Sequence, residues 1–268
     1  MRLWQHFKLT SAISRLRRAS PADLKRWIST LPVVAFAPPV LGAVDALCQT
    51  FPNTTRDAAQ KVAAEFSADA HLHSEVESRM LRKRGRRMDW QEWHRFLYGA
   101  IRIMCPRVVF ETGVFDGHSS SVILAAMARN AWGELVSIDL PAVDEIPDST
   151  HRMQGGTSLP QGCDPGWLVP DYLRERYRLR LGDSKELLPS LLTQYGKVDV
   201  FLHDSLHTDE HQSFEYRTVW PHMVEGGLLL SDDIFWSTAF HRFAREKRVN
   251  YVNLHNFGAI RVGSQARQ

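Results

Sequence analysis

The sequence predicts an α/β fold: a doubly wound, mostly parallel sheet of seven strands preceded by an N-terminal helical extension. Three observations predict it. Five short runs rich in apolar and β-branched residues, 107–112, 135–140, Tyr177–Leu181, Val198–His203 and 227–231, alternate with helical or loop segments. Strands joined in this way pair in parallel under helices on both faces. Two further runs, Val249–Leu254 and 257–262, are separated only by His255 and Asn256, which fits an antiparallel hairpin closing the sheet edge. Before residue 88 the pattern is different, with short helical stretches broken by prolines.

The bulk properties agree. A chain of 268 residues with 44% hydrophobic and 24% charged residues is long enough for one large domain or a domain plus an extension. This composition excludes wholesale disorder, collagen-like repeats and a disulfide scaffold. Lys+Arg 33 against Asp+Glu 30 leaves a net charge of +3, too mild to imply a nucleic-acid partner. Cys48, Cys105 and Cys163 are an odd count without a CxxC pair, which reads as reduced thiols in a cytoplasmic protein. The most apolar early stretch, 31–48, contains Pro32, Pro38, Pro39 and Asp45, so it is not read as a membrane span. The opening MRLWQHFKLT lacks the apolar core of a signal peptide.

Element by element, the extension is expected to contain helices over 9–18, after a Ser20 cap with Pro21 in the first turn, over 40–48, and from Asn53 or Thr54 to Glu65. Arg79, Arg82, Lys83, Arg84, Arg86 and Arg87, with no acid among them, read as a solvated basic linker. The division is therefore 1–88, helical extension and linker, and 89–268, the sheet domain. The extension is a candidate interface between copies of the chain. His71 and His73 read as an exposed pair. The segment 88–104 has helical period, with Trp90, Trp93, Phe96, Leu97 and Ile101 on one stripe. Residues 141–170 hold five prolines and four glycines, either a lid over a substrate or a passive insertion.

In an open parallel sheet, ligands bind beyond the carboxyl ends of the strands. Those ends read Glu111, Asp139, Asp183, Asp204 and the pair Asp232 and Asp233. Carboxylates converging on one edge repel one another unless a ligand or cation neutralises them. The first strand runs into ETGVFDGHSSS, where Gly113 and Gly117 frame a turn and Ser119 can cap the next helix. A pyrophosphate fingerprint needs glycine where Phe115 stands, so this spacing suits a nucleoside without phosphates, or a purely structural turn. Asp139, 22 residues after Gly117, can accept ribose hydroxyls. Asp183 can accept from an adenine amine or cap the helix that follows it. Asp204, Asp232 and Asp233 on adjacent strand ends would make a hard oxygen site for Mg²⁺ or another divalent cation. The alternative has Asp232 capping a helix near 237–248 and Asp233 in solvent. His207, three residues after Asp204, is either a general base or a surface histidine.

Taken together, ETGVFDG, VSIDL, LRLGDSKELLPSL, VDVFLHDSLH and MVEGGLLLSDDI resemble, in order and spacing, the motifs of class I S-adenosylmethionine-dependent methyltransferases. The resemblance spans about 108–262 and implies a Rossmann-like methyltransferase fold. It is nearest to the cation-dependent O-methyltransferases that act on small natural products and sugars. It implies cofactor contacts at Glu111, Gly113, Phe115, Gly117, Ser119, Asp139, Asp183, Ser184 and Asp204. It also implies metal ligands at Asp204, Asp232 and Asp233 and a base at His207. The expected reaction is methyl transfer from S-adenosylmethionine to a hydroxyl of a small molecule. Other readings are a metal-independent enzyme acting on RNA or another acceptor, and a cofactor-binding scaffold without transfer activity.

Two local patterns compete. His207-Thr208-Asp209-Glu210-His211 matches HxxEH, but a zinc site of that type needs the motif inside a helix, and here it follows a strand. Gly117-His118-Ser119-Ser120-Ser121 is close to a nucleophile elbow, but it lacks the last glycine and its serine lies past the strand end.

Overall fold

The computed structural model describes residue 35, residues 37–141 and residues 159–265, with residues 264 and 265 described by backbone only. The helices expected before residue 30 and most of the 141–170 insertion lie outside the described residues. The strands are β1 (Val108–Thr112), β2 (Glu134–Asp139), β3 (Tyr177–Leu181), β4 (Val198–His203), β5 (Met223–Ser231), β6 (Val249–Leu254) and β7 (Phe257–Gln265). They form one sheet in the order β3-β2-β1-β4-β5-β7-β6. β1 to β5 pair in parallel, and β7 lies antiparallel between β5 and β6. The strand order reverses between β1 and β4, the place where open α/β sheets bind ligands beyond the strand ends.

The helices are α1 (Ala43–Thr50), α2 (Arg56–Ala68), α3 (Ala70–Arg84), α4 (Glu92–Met104), α5 (His118–Asn130), α6 (Ser184–Tyr195), α7 (Asp209–Val219) and α8 (Ala239–Lys247). Strand side chains alternate in direction, so each strand feeds two cores. Val109, Val200, Leu202, Leu228 and Leu230 join residues of α1 to α5 in one cluster. Val108, Phe110, Val136, Phe201 and Leu229 join α6, α7 and α8 in the other. No helix among the described residues is long and apolar enough to cross a membrane.

The described part of the extension adds to the first core. Leu47, Leu72 and Met80 are fully buried in it, each worth about 1.5–3 kcal/mol of burial. The Leu41 N–H donates to the Asn253 carbonyl at 2.8 Å, and Val40 forms a parallel bridge to the same residue.

Several expectations are corrected here. The cations 79–84 are not a linker but the last turns of α3, which ends at Gly85 with φ 65°. Arg79 donates to the Trp167 carbonyl and to Asp171 (3.1 Å), and Arg84 pairs with Asp116. A run of cations reads as solvated in sequence because its acids are far along the chain. Thr55, not Asn53 or Thr54, caps α2, accepting from the Ala58 N–H at 3.2 Å. α4 begins at Glu92 rather than at 88, where the Gln91 N–H donates to His94 Nδ1 (3.0 Å). His73 is not exposed with His71; it is half-buried and stacked on Trp90. Cys48, Cys105 and Cys163 are all free thiols.

Candidate active site

The turn after β1 is shaped by what surrounds it. Gly113 has φ 80°, and a Cβ there would lie 2.1 Å from the Asp204 carbonyl oxygen. Its N–H donates to the Ile138 carbonyl, so this residue links the ends of β1, β2 and β4. Gly117, φ 96°, lets Gly166 approach; a Cβ would sit 2.8 Å from the Gly166 Cα. Phe115 also adopts φ 50°, a region that costs a non-glycine residue about 1–2 kcal/mol. Asp139 stabilises that conformation: its Oδ2 accepts from the N–H groups of Val114 (2.9 Å) and Phe115 (2.6 Å), while Oδ1 accepts from Leu140 N–H (2.7 Å).

Not every predicted cofactor residue is exposed at the strand ends. Glu111 is fully buried and accepts from the hydroxyls of Ser119, Ser120 and Ser137. Burial pushes its carboxyl above the ordinary range. Ser119 therefore does not cap α5; it lies inside the helix, whose N-cap is Gly117. Asp183 does cap α6, accepting from Lys185 N–H at 2.8 Å. Ser184 is buried and donates to Glu215 at 2.6 Å. The β2 and β3 ends instead show two exposed leucines, Leu140 at 56% and Leu181 at 48%, an apolar surface on an otherwise acidic rim. Their exposure could not be read from sequence, where both look like strand residues.

At the ends of β4 and β5, the ladder continues one bond past the strands: Asp204 N–H donates to the Thr112 carbonyl and Asp232 N–H to the His203 carbonyl. This sets Asp204 and Asp232 side by side. Burial raises both carboxyls, and crowding by the other aspartates raises them further. Asp233, φ 51°, is held by Asn256 Nδ2. His207 is buried between two of these acids, with Nε2 3.7 Å from Asp204 Oδ1 and Nδ1 3.7 Å from Asp233 Oδ2. Its ring faces Trp236 at 6.5 Å. Asp232 does not cap α8, whose N-cap is Thr238.

Beneath this rim lies a buried carboxylate that sequence reasoning missed. Glu215 accepts from Thr112 (2.6 Å), Ser184 (2.6 Å), Ser205 (2.9 Å), His203 Nδ1 (2.6 Å) and His211 Nε2 (2.9 Å). Burial would raise it, but the two histidines hold it well below the carboxylate range. It ties β1, β4, α6 and α7 together behind Asp204. The HxxEH pattern dissolves here: His211 serves Glu215, and His207 precedes α7. The one sequence signal was a lone acid on the apolar face of a helix.

The donor chemistry of Asp204, Asp232 and Asp233 is that of a hard divalent cation. As the side chains stand, no group of three or more His, Cys, Asp or Glu among the described residues is arranged to hold a metal ion. The mutual repulsion of the aspartates is the property a cation would relieve.

Comparison with known proteins adds a domain match and a shared fold. Residues 110–234 match the model of a methyltransferase domain. A Bacillus cereus O-methyltransferase in complex with SAH has similar structure, at TM-score 0.51 and 14% identity, over 75% of this chain and 94% of that one. An SAH-bound methyltransferase from Podospora anserina gives TM-score 0.50 and 14% identity, over 78% and 96%. The O-methyltransferase TomG from Streptomyces achromogenes, solved with SAM, gives TM-score 0.50 and 14% identity, over 76% and 96%. No curated protein sequence matches significantly.

Proposed function

We propose that this chain, whose residues 110–234 match a methyltransferase domain, is a class I S-adenosylmethionine-dependent methyltransferase that methylates a hydroxyl of a small molecule with the help of a divalent cation. The observation that carries this reading is His207, buried between Asp204 and Asp233 at 3.7 Å from each. When bound, the cofactor supplies an electrophilic methyl group and the cation lowers the acceptor hydroxyl's pKa.

The chain's own residues divide the work. Asp139 would accept the ribose hydroxyls while sharing its carboxylate with the N–H groups of Val114 and Phe115. Leu140 and Leu181 would cover the faces of the adenine, with Asp183 accepting from its amine. Gly113 keeps the turn low enough for the nucleoside to lie along the strand ends. Asp204, Asp232 and Asp233 would hold the cation. His207 would take the acceptor's proton at an imidazole nitrogen, and Trp236 would wall the acceptor and keep water out. Most of the acceleration would come from holding the acceptor oxygen in line with the methyl group.

The test is transfer of labelled methyl from S-adenosylmethionine to a panel of hydroxylated small molecules with Mg²⁺ present. The reading expects O-methylated product and SAH in equal amounts. Binding of SAH without transfer to any hydroxyl, or transfer only to nitrogen or RNA, overturns it.

A further inference from the structure

The segment matched by the methyltransferase model begins at residue 110, yet Arg84, which grips the glycine turn, lies outside that segment. Asp116, in the middle of the turn, has a fully buried side chain. Arg84, at the end of α3, donates to it through Nε (Oδ2, 2.6 Å) and Nη2 (Oδ1), a two-pronged pair. Trp167 Nε1 donates to the same carboxylate (Oδ1, 2.8 Å). The backbone repeats the connection: Leu168 N–H donates to the Asp116 carbonyl (2.9 Å) and Gly166 N–H to the Phe115 carbonyl (2.8 Å). The Arg84 guanidinium also lies 4.9 Å from the centroid of the Phe115 ring, a cation–π contact. Asp139 pins the same turn from the sheet side.

We propose that Arg84, Asp116 and Trp167 form a clamp through which α3 and the 159–170 segment hold the cofactor turn in its binding shape. All three are positioning residues. The inference rests on the reading that S-adenosylmethionine binds along this turn. A buried carboxylate needs compensating charge and donors, so the turn keeps its shape only while α3 is docked. Phe115, at positive φ and 38% exposed, is the residue the clamp must hold. A shape that relaxes on losing the clamp must be rebuilt before the nucleoside binds, and affinity falls by the fraction of chains in the competent shape.

The test is SAH affinity by calorimetry, at a temperature well below each variant's melting point, for wild type, Arg84→Met, Arg84→Lys, Asp116→Asn and the double variant Arg84→Met/Asp116→Asn. The expected result is at least tenfold weaker SAH binding for Arg84→Met. Arg84→Lys should recover only part of it, because lysine keeps the charge but not the fork. In turnover, KM for S-adenosylmethionine should rise with little change in kcat. The double variant leaves no unpaired buried charge; if Arg84→Met fails to fold, the same loss of affinity is read from it. Variants that melt lower yet bind SAH within twofold of wild type overturn the clamp and leave the proposed function standing. A wild-type chain that binds no SAH overturns both.

Discussion

Gly113 and Asp204 meet backbone to backbone: a Cβ at Gly113 would come within 2.1 Å of the Asp204 carbonyl oxygen. The turn expected to carry the nucleoside and the loop carrying the first candidate metal ligand are thus packed as one unit. Gly113→Ala combines this backbone clash with an unfavourable φ. The expected outcome is a loss of about 2 kcal/mol or more, read as a lowered midpoint in urea denaturation, with SAH binding lost in whatever fraction folds. A variant with wild-type midpoint would show that the two loops move apart freely.

His207→Gln should cut kcat by about 10²–10⁴-fold, the usual worth of a general base, while SAH affinity by calorimetry stays within twofold. Glutamine keeps polarity but cannot take up the proton at neutral pH. Turnover near wild type would remove the base from the reaction.

Chelation separates the metal from the fold. With EDTA present, turnover should fall to background and return on adding excess Mg²⁺. Asp232→Asn should need more Mg²⁺ for half-maximal rate, since one charge of the hard oxygen set is gone. It should also melt no lower than wild type, because burial and the neighbouring Asp233 disfavour a charge at Asp232 when no cation is bound. Full turnover in EDTA would refute the cation's role.

The pH dependence of stability has a buried source in α4. Burial, then repulsion from His118, lowers His94 to about 3. The folded state prefers the neutral ring, so the stability it contributes is complete above the unfolded value near 6.5. It is lost as pH falls from there toward 3. The slope is at most about 1.4 kcal/mol per pH unit. His94→Asn, which retains an acceptor for the Gln91 N–H, should flatten the decline in unfolding free energy between pH 6.5 and 4.5. An unchanged slope would mean that His94 takes up its proton equally in the folded and unfolded states.

Strand positions were readable because their signals are local. Tyr177–Leu181, Val198–His203 and Val249–Leu254 fall where the apolar runs placed them, since alternation is a property of neighbouring residues. β5 begins earlier than expected, at Met223, because Glu225 and two glycines interrupt its apolar pattern. The acid at each strand end was equally readable, but not where its carboxylate turns. Glu111 turns inward to three serines and Asp183 caps α6, while Asp204 and Asp232 crowd together.

The sequence by itself determined the sheet, its closing hairpin and the succession of acids along one rim, because periodicity and strand ends are written in adjacent residues. Only the tertiary structure decided which partner each charge meets. Arg84 reaches Asp116 across 32 positions, and Thr112 reaches Glu215 across 103. A buried charge is stable only with a matched partner, and that partner is chosen by proximity in space, which no local pattern encodes.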